Sequence, residues 1–528
     1  MRSAPVVLAE CVAAVIDTVA IERQDVFDSE LPRSSFFLYR WGNAIHAKTR
    51  ESVIRRELLY SEGEELDLNL VEETERNLRA LPFIGEAETI LAYTPDSARV
   101  RVTVRTLDRW STTAGIIIPD QGGPNYSAGL ELEEKNLAGL GVELGAHYRS
   151  GDSADEPFEA YGIRYDNPGF LGTRHEVSVE WDYDGFIRRE SGLLRKPRLF
   201  LADPHGYRMT VSVQSGSKRW IDNNQVLFSH PMDSQAWGAS YTRYVYTRLP
   251  KRRHRTVSLT LGLDWERTRY DADGVEEQFL ERVPPDLSRT TLRTVGEYSV
   301  LRYATARYLE SFGNTEDLTL GRWVDLELTR TIDVLGNREV RQTIKLIGTY
   351  RGRLDSNIHV SAQAAAGTGR GRDVPVAYEW NAGTLWAHRP RLVAAIVTKG
   401  TIARHAPSYY LTYLGGDEGL RGYDDTDLAG QNYAYFSVSE RYFSPLRLFT
   451  VGIGAEAFLE AGKLWGGEIV GGTAWRGDIG GSLLLGLNRL ANRDLVRIDI
   501  AKRLTESGYR WSIGYGVDFA LWAPPASD

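Results

Sequence analysis

The chain has 528 residues, more than one ordinary compact domain holds. Charged residues make up 25% of it and no run of about 20 apolar residues occurs, which excludes a bundle of membrane-crossing helices. A net charge of −8 leaves no electrostatic footprint for nucleic acid, and Cys11, the single cysteine, cannot form an intrachain disulfide. With 51 Gly, 27 Tyr and 13 Trp against 3 Met, the composition is that of an all-β protein. It also suits the weak hydropathy of a membrane barrel.

Residues 1–14 read as a signal remnant or a disordered N-terminus. Arg2 precedes the apolar Pro5-Val6-Val7-Leu8-Ala9, but Glu10 interrupts the run where a secretory signal needs a longer one. Glu10 also occupies the place before Cys11 where lipoprotein processing takes a small residue.

Residues 15–109 read as a small α/β domain. Val15 to Ile21 alternates as a strand does. Thr49 to Tyr60 spaces Val53, Ile54, Leu58 and Leu59 as a helix does, with Gly63 as its stop. A second helix, Leu70 to Leu81, puts Val71, Thr74, Leu78 and Leu81 on one side and ends at Pro82. Strands Ala87 to Tyr93 and Val100 to Leu107 follow, joined by the turn Thr94-Pro95-Asp96-Ser97. The segment from Asp28 to Asn43 exceeds what such a domain needs.

Residues 110–124 read as a linker, after which helical periodicity gives way to period-two alternation from 125 to 528. Val257, Leu259, Leu261, Leu263 and Trp265 alternate with Ser258, Thr260, Gly262, Asp264 and Glu266. Val496, Ile498 and Ile500 alternate with Arg497 and Asp499. The last strand sets Trp511, Ile513, Tyr515, Val517 and Phe519 against Ser512, Gly514, Gly516 and Asp518. A soluble sandwich alternates too. What favours a transmembrane barrel is the length of the helix-free stretch, the Glu, Asp and Arg on the polar face, and aromatics at strand ends. About 400 residues at about 25 per strand and connection predict about 16 antiparallel strands, each about 9–11 residues through the membrane.

Within this region lies Leu414-Gly415-Gly416-Asp417-Glu418-Gly419-Leu420-Arg421-Gly422-Tyr423. Gly415, Gly416, Gly419 and Gly422 let the backbone turn back on itself, with Leu420, Arg421 and Tyr423 at the tip. A buried Arg421 needs a carboxylate, and Glu440 and Glu460 follow downstream. Ile453, Ala455, Ala457 and Leu459 form one face of their strand, so Glu456 and Glu460 share the inner one. Glu440 shares parity with Phe436 and Val438, and faces inward only across a bulge. The residues alone leave a solvated arginine open; if the tip is buried, the pleat favours Glu460 as the partner of Arg421, in near-bidentate geometry.

Enzyme chemistry finds little support. The nine histidines lack metal-ligand spacing, and Gly367-Thr368-Gly369-Arg370-Gly371-Arg372 lacks the Lys-Ser/Thr and the helix of a phosphate loop, reading instead as a surface loop. No cofactor and no metal is expected.

Taken together, these features resemble the BamA/TamA outer-membrane assembly superfamily, which includes two-partner secretion transporters. The β-α-α-β-β order and Glu73-Thr74-Glu75-Arg76-Asn77-Leu78-Arg79-Ala80-Leu81 look like a POTRA (polypeptide-transport-associated) domain. Gly415 to Tyr423 resembles the family's [Val/Leu]-Arg-Gly-[Phe/Tyr] loop motif, and Phe458-Leu459-Glu460-Ala461-Gly462 its following strand. Glu131-Glu133-Glu134-Asn136-Leu137 and Asn167-Pro168-Gly169-Phe170-Leu171-Gly172 are similar to family wording near the first strands. Ser512, Gly514, Val517 and Phe519 fit the pattern of a barrel-closing strand, with Gly514 and Gly516 weakening its packing.

The resemblance implies an outer-membrane protein with a periplasmic POTRA domain. It would act on unfolded or barrel-forming polypeptides, together with the lipid bilayer and other assembly-machinery subunits. The seam between Tyr126–Glu133 and Trp511–Phe519 would be its gate. A two-partner-type secretion pore and a passive porin or surface adhesin are the alternatives, the last having no use for the N-terminal module.

Overall fold

The computed structural model describes residues 14–27, 46–95, 98–117, 126–153, 156–222, 225–332, 341–371, 374–407, 410–416, 419–424, 427–448, 450–467, 472–491 and 495–515. The stretch Asp28 to Asn43, most of the 1–14 segment, and Gly516, Val517 and Phe519 lie outside them. The chain forms two compact units, one of residues 1–112 with 134–142 and 489–492, the other of the remainder.

The smaller unit contains β1 (Val15–Gln24), α1 (Glu51–Glu57), α2 (Leu68–Ala80), β2 (Ile84–Tyr93) and β3 (Arg99–Asp108). Its sheet has the order β1-β3-β2, with β1 parallel and β2 antiparallel to β3. Both β1 and β2 are therefore edge strands. Helix α2 starts where the Asp67 carboxylate accepts the Asn69 N–H at 2.9 Å. Its apolar stripe, Val71 and Leu78, packs with Val53, Ile54, Phe83, Val100, Val102 and Val104 in one buried core. Helix α1 is shorter than the periodicity predicts. Leu58 already has extended backbone, and Gly63 serves a later turn at φ +87°.

Polar contacts tie the remaining segments of this unit together. The Thr49 amide and hydroxyl donate to the buried Asp108 carboxylate at 2.7 and 3.0 Å, and Asn136 Nδ2 donates to Thr49 Oγ1 at 2.9 Å. Asn136 Oδ1 in turn accepts the Gly141 N–H at 2.7 Å. Trp110 exchanges backbone bonds with Arg489 and Ala491.

Among the described residues, the larger unit is one sheet of 20 strands in closed-barrel order, from Thr112–Ile117 to Tyr509–Tyr515. The sequence estimate of about 16 strands is too low because several hairpins turn in two or three residues, at 250–252, 356–357 and 390–391. In addition, Thr112–Ile117, inside the stretch read as a linker, is a strand of this sheet. The neighbour of the last strand is therefore Thr112–Ile117, not Tyr126–Glu134. The glycines at 367 and 369 belong to the strand Ile358–Arg370 and not to a surface loop. Four consecutive strands, from His205–Asp222 to Leu287–Ala306, run for 18 to 25 residues, well beyond the about 9–11 that a hydrocarbon layer requires.

Alternation decides the two faces. Along Arg253–Tyr270, His254, Thr256 and Ser258 are buried whereas Val257, Leu259 and Leu261 are exposed. The same outward set recurs around the sheet at Ile163, Val211, Val245, Leu326, Leu346, Leu459 and Ile500. An exposed aliphatic band this extensive is out of place in water. Among the described residues no helix is long and apolar enough to cross a membrane.

Leu78 is fully buried in the small unit, so Leu78→Ala should cost about 2–5 kcal/mol there. Urea titration followed by limited proteolysis should show early loss of that unit, while the heat-modifiable gel shift of the folded barrel stays unchanged.

Candidate functional site: a guanidinium clamp inside the barrel

Loop 405–431 joins the strands Leu392–Arg404 and Asn432–Leu448, and its described tip, Gly419–Asp424, lies against the inner face of the barrel. A two-residue ladder, Thr412–Tyr413 with Ala429–Gly430, closes its base. Beyond the ladder, Gly416 donates to Tyr423 O at 2.8 Å and Leu420 to Leu414 O at 2.8 Å, which draws the tip into a tight double turn. Glycine is needed here for space. A Cβ on Gly415 would lie 1.9 Å from Asp424 O, and one on Gly419 2.0 Å from Leu414 O. Gly416 has φ +73°. Leu414, Leu420, Tyr423 and Leu428 pack against Tyr435 and Leu464 of the wall, so the tip is held by apolar burial as well as by charge. Asp417 and Glu418 lie outside the described residues.

Successive residues of the tip dock on successive wall strands. Arg421, 2% exposed, meets the inner face of Val451–Trp465. Its Nε donates to Glu460 Oε1 at 2.9 Å, and its backbone N–H donates to Glu460 Oε2 at 2.9 Å. One carboxylate thus holds the side chain and the main chain of the same residue, in place of the fork-to-fork pair expected from sequence. Nη1 points toward Glu456 at 3.5 Å and Asp499 at 3.7 Å, and the guanidinium carbon lies 3.3 Å from the Phe458 ring centre. Tyr435 also donates to Glu460 Oε1, at 3.0 Å.

Gly422 comes next, and its N–H donates to Asp478 Oδ2 on Arg476–Gly486 at 2.8 Å. A Cβ there would lie 2.9 Å from the Asp478 Cβ. Tyr423 lies beneath Arg503, 4.6 Å from guanidinium carbon to ring centre, with its hydroxyl 3.1 Å from Thr505 Oγ1. Arg503 donates to Gly422 O at 2.6 Å and to Asp427 at 2.8 Å. From the last described strand, Arg510 donates to Asp424 at 2.9 Å and to Arg421 O at 3.3 Å.

The electrostatics follow from burial. A guanidinium taken out of water carries a desolvation cost of several kcal/mol, which only close, well-oriented acids offset. Arg421 answers this with Glu460, Glu456 and Asp499, and the surplus negative charge is shared. Arg441 Nε donates to Glu456 at 3.2 Å, and Arg497 Nε to Asp499 at 2.6 Å. The aromatic face of Phe458 adds a cation–π contact of about 2 kcal/mol in a desolvated setting.

Glu440 is not part of this network. It lies on the outward parity with Phe436 and Val438, where its Oε1 meets His388 Nε2 at 2.7 Å. The bulge that would have turned it inward falls further along, between Phe443 and Arg447. Ser512 faces inward and is buried, opposite Asp499. Gly514 sits opposite Arg497, and a Cβ there would lie 2.8 Å from Arg497 Nη2. This glycine therefore makes room for a guanidinium, a different role from the weak packing expected of it. Asp478, Arg503 and Arg510 carry no motif that singles them out in the sequence, although each is a charged residue in or beside a strand of the alternating region.

No protein-family model and no curated protein matches the sequence. Among solved structures, the chain is similar to CdiB from Acinetobacter baumannii at 12% identity and a TM-score of 0.45, covering 96% of this chain and 74% of that one. CdiB from Escherichia coli gives 11% and 0.45, covering 96% and 77%. BamA from Haemophilus ducreyi lacking POTRA domains 1-3 gives 11% and 0.39, covering 96% and 85%.

Glu460→Gln should destabilise the folded-in loop by about 3–5 kcal/mol, because it leaves a buried guanidinium short of its main acid. Glu440→Gln should cost less than about 1 kcal/mol, its histidine contact being partly exposed. Thermal denaturation of both variants in the same detergent separates the two outcomes.

Proposed function

We propose that the chain is an outer-membrane β-barrel of the BamA/TamA type that helps polypeptides fold into, or pass across, the membrane. The observation that carries this reading is Arg421, in a Gly-Leu-Arg-Gly-Tyr turn, held on Glu460 inside the barrel by a loop folded inward. The exposed aliphatic band supports placement in lipid, since apolar-out and polar-in alternation is what a spanning barrel requires. The smaller unit takes the part of a POTRA domain in the periplasm. Glu75 already accepts the Thr89 N–H and Arg79 already donates to Ala87 O, and edge strand β2 offers the rest of its outer edge to an extended client, which gives affinity without sequence specificity.

In this reading the chemistry is conformational and needs no cofactor. No nucleotide is available outside the inner membrane, so the work comes from the client's own folding free energy. The clamp stiffens the wall from Asn432–Leu448 to Tyr509–Tyr515, and the strands at and beyond its edge, Tyr509–Tyr515 and Thr112–Ile117, form the seam where a client strand or chain is admitted. A two-partner-type secretion pore uses the same clamp to hold a lumenal plug. The readout that separates the two is ion conductance after loop displacement.

Arg421→Ala should cut client insertion or export by about tenfold or more while leaving the barrel folded in the membrane. Arg421→Lys should fail to restore it, because a point charge cannot bridge Glu460, Glu456 and the Phe458 face together. Export at the unsubstituted level in Arg421→Ala cells would contradict the proposal.

A further inference from the structure

A second segment folds into the barrel, from the rim opposite to loop 405–431. Neighbouring strands from Glu143 onward pair antiparallel, so their connections alternate between the two rims. By that count the turn 307–315 sits on the other rim. It joins Leu287–Ala306 to Glu316–Ile332, yet its apex contacts strands that are not its neighbours.

Phe312 is buried in a notch left by three glycines of the far wall. Cβ atoms on Gly452, Gly454 and Gly486 would lie 2.5, 2.8 and 2.3 Å from its ring atoms. The ring also meets Phe443 edge-on, 5.1 Å between centres, and Asn488 Nδ2 donates to Phe312 O at 3.0 Å. Leu309, Leu318, Leu385, Val393, Leu484 and Leu495 complete an apolar cluster on a wall otherwise lined with polar groups. The foot of the turn is fixed by Glu316, whose carboxylate accepts the backbone N–H groups of Leu309, Glu310 and Ser311 at 3.0–3.2 Å and the Ser311 hydroxyl at 2.6 Å.

We propose that the turn 307–315 is a latch across the second rim, with Phe312 as its bolt and Gly452, Gly454 and Gly486 as the socket. The inference rests on the reading of the barrel as a conduit or insertase. A nine-residue turn between adjacent strands has no need to reach across the interior, and covering its own hairpin would satisfy its backbone. The foot and the bolt differ in kind. Glu316 is a set of directional bonds that keeps the turn's shape, whereas Phe312 sits in an apolar notch that it can leave as a rigid unit. Both inward segments share one strand, since Gly452 and Gly454 hold Phe312 while Glu456, Phe458 and Glu460 hold Arg421. The latch closes one rim and the clamped loop occupies the other.

The test uses the full chain in a Cys11→Ser background. Phe312→Cys with Gly486→Cys places the two thiols on Cβ positions 2.8 Å apart, within a small shift of the roughly 3.5–4.5 Å a disulfide spans. The pair should cross-link spontaneously in the folded protein, read as a gel-mobility change reversed by reductant. In planar bilayers the oxidised pair should show several-fold fewer open events than the reduced pair. Gly486→Val, which refills the socket and expels the ring, should show several-fold more. Absence of cross-linking overturns the contact, and cross-linking without any change in conductance overturns the latch. Neither result bears on Arg421, whose variants test the proposed function separately.

Discussion

The inner face of the strand Val451–Trp465 sets the terms for the interior of this barrel. Read inward along the strand, Gly452, Gly454, Glu456, Phe458, Glu460, Gly462 and Leu464 offer in turn a notch, an acid, an aromatic face, a second acid, a second gap and an apolar end. Glu456 has Arg441 beside it, but Glu460 would be costly where it stands without a cation, and Arg421 would be costly without these acids. Each side of that exchange makes the other tolerable. Loop 405–431 is the piece of chain that brings the cation in.

The double grip on Glu460 explains why the motif reads Arg-Gly-Tyr and not arginine alone. Because the carboxylate accepts from the backbone N–H of Arg421 as well as from Nε, the main chain must lie against the wall at that point. The next residue then has no room for a side chain, with Asp478 2.9 Å from where its Cβ would stand. Tyr423 can reach the Arg503 guanidinium only once the two preceding residues are seated. Side-chain charge fixes the backbone, the backbone demands glycine, and glycine sets the tyrosine. In the proposed function this gives the loop two well-defined conditions, seated or released, in place of a continuum.

Much of this arrangement is legible in one dimension. Glu460 and Glu456 declare themselves by pleat parity, because an acid alternating with Ala455, Ala457 and Leu459 must face inward. The small unit shows its helices and strands by periodicity to within a few residues. Glu440 misleads, since proximity in sequence argues for it while its own parity argues against it, and parity wins. The strand count fails because hairpins that turn in two or three residues spend less chain per strand than the estimate allows, even where Pro250 and Pro390 mark the turn. Thr112–Ile117 is too short to show alternation above background. The turn 307–315 carries no signal at all along the chain, because its socket is made of glycines more than 130 residues away. The absence of side chains at those glycines matters only once three dimensions bring them to Phe312.

The central claim is that the tip of loop 405–431 is seated on the wall and not solvated. Hydrogen–deuterium exchange of the Arg421 and Gly422 amides, in protein reconstituted in bilayers, tests it most directly. Both N–H groups donate to buried carboxylates, Arg421 to Glu460 at 2.9 Å and Gly422 to Asp478 at 2.8 Å. The account predicts that they exchange as slowly as the amides of Val451–Trp465. Exchange within seconds, at the rate of an open loop, would contradict it.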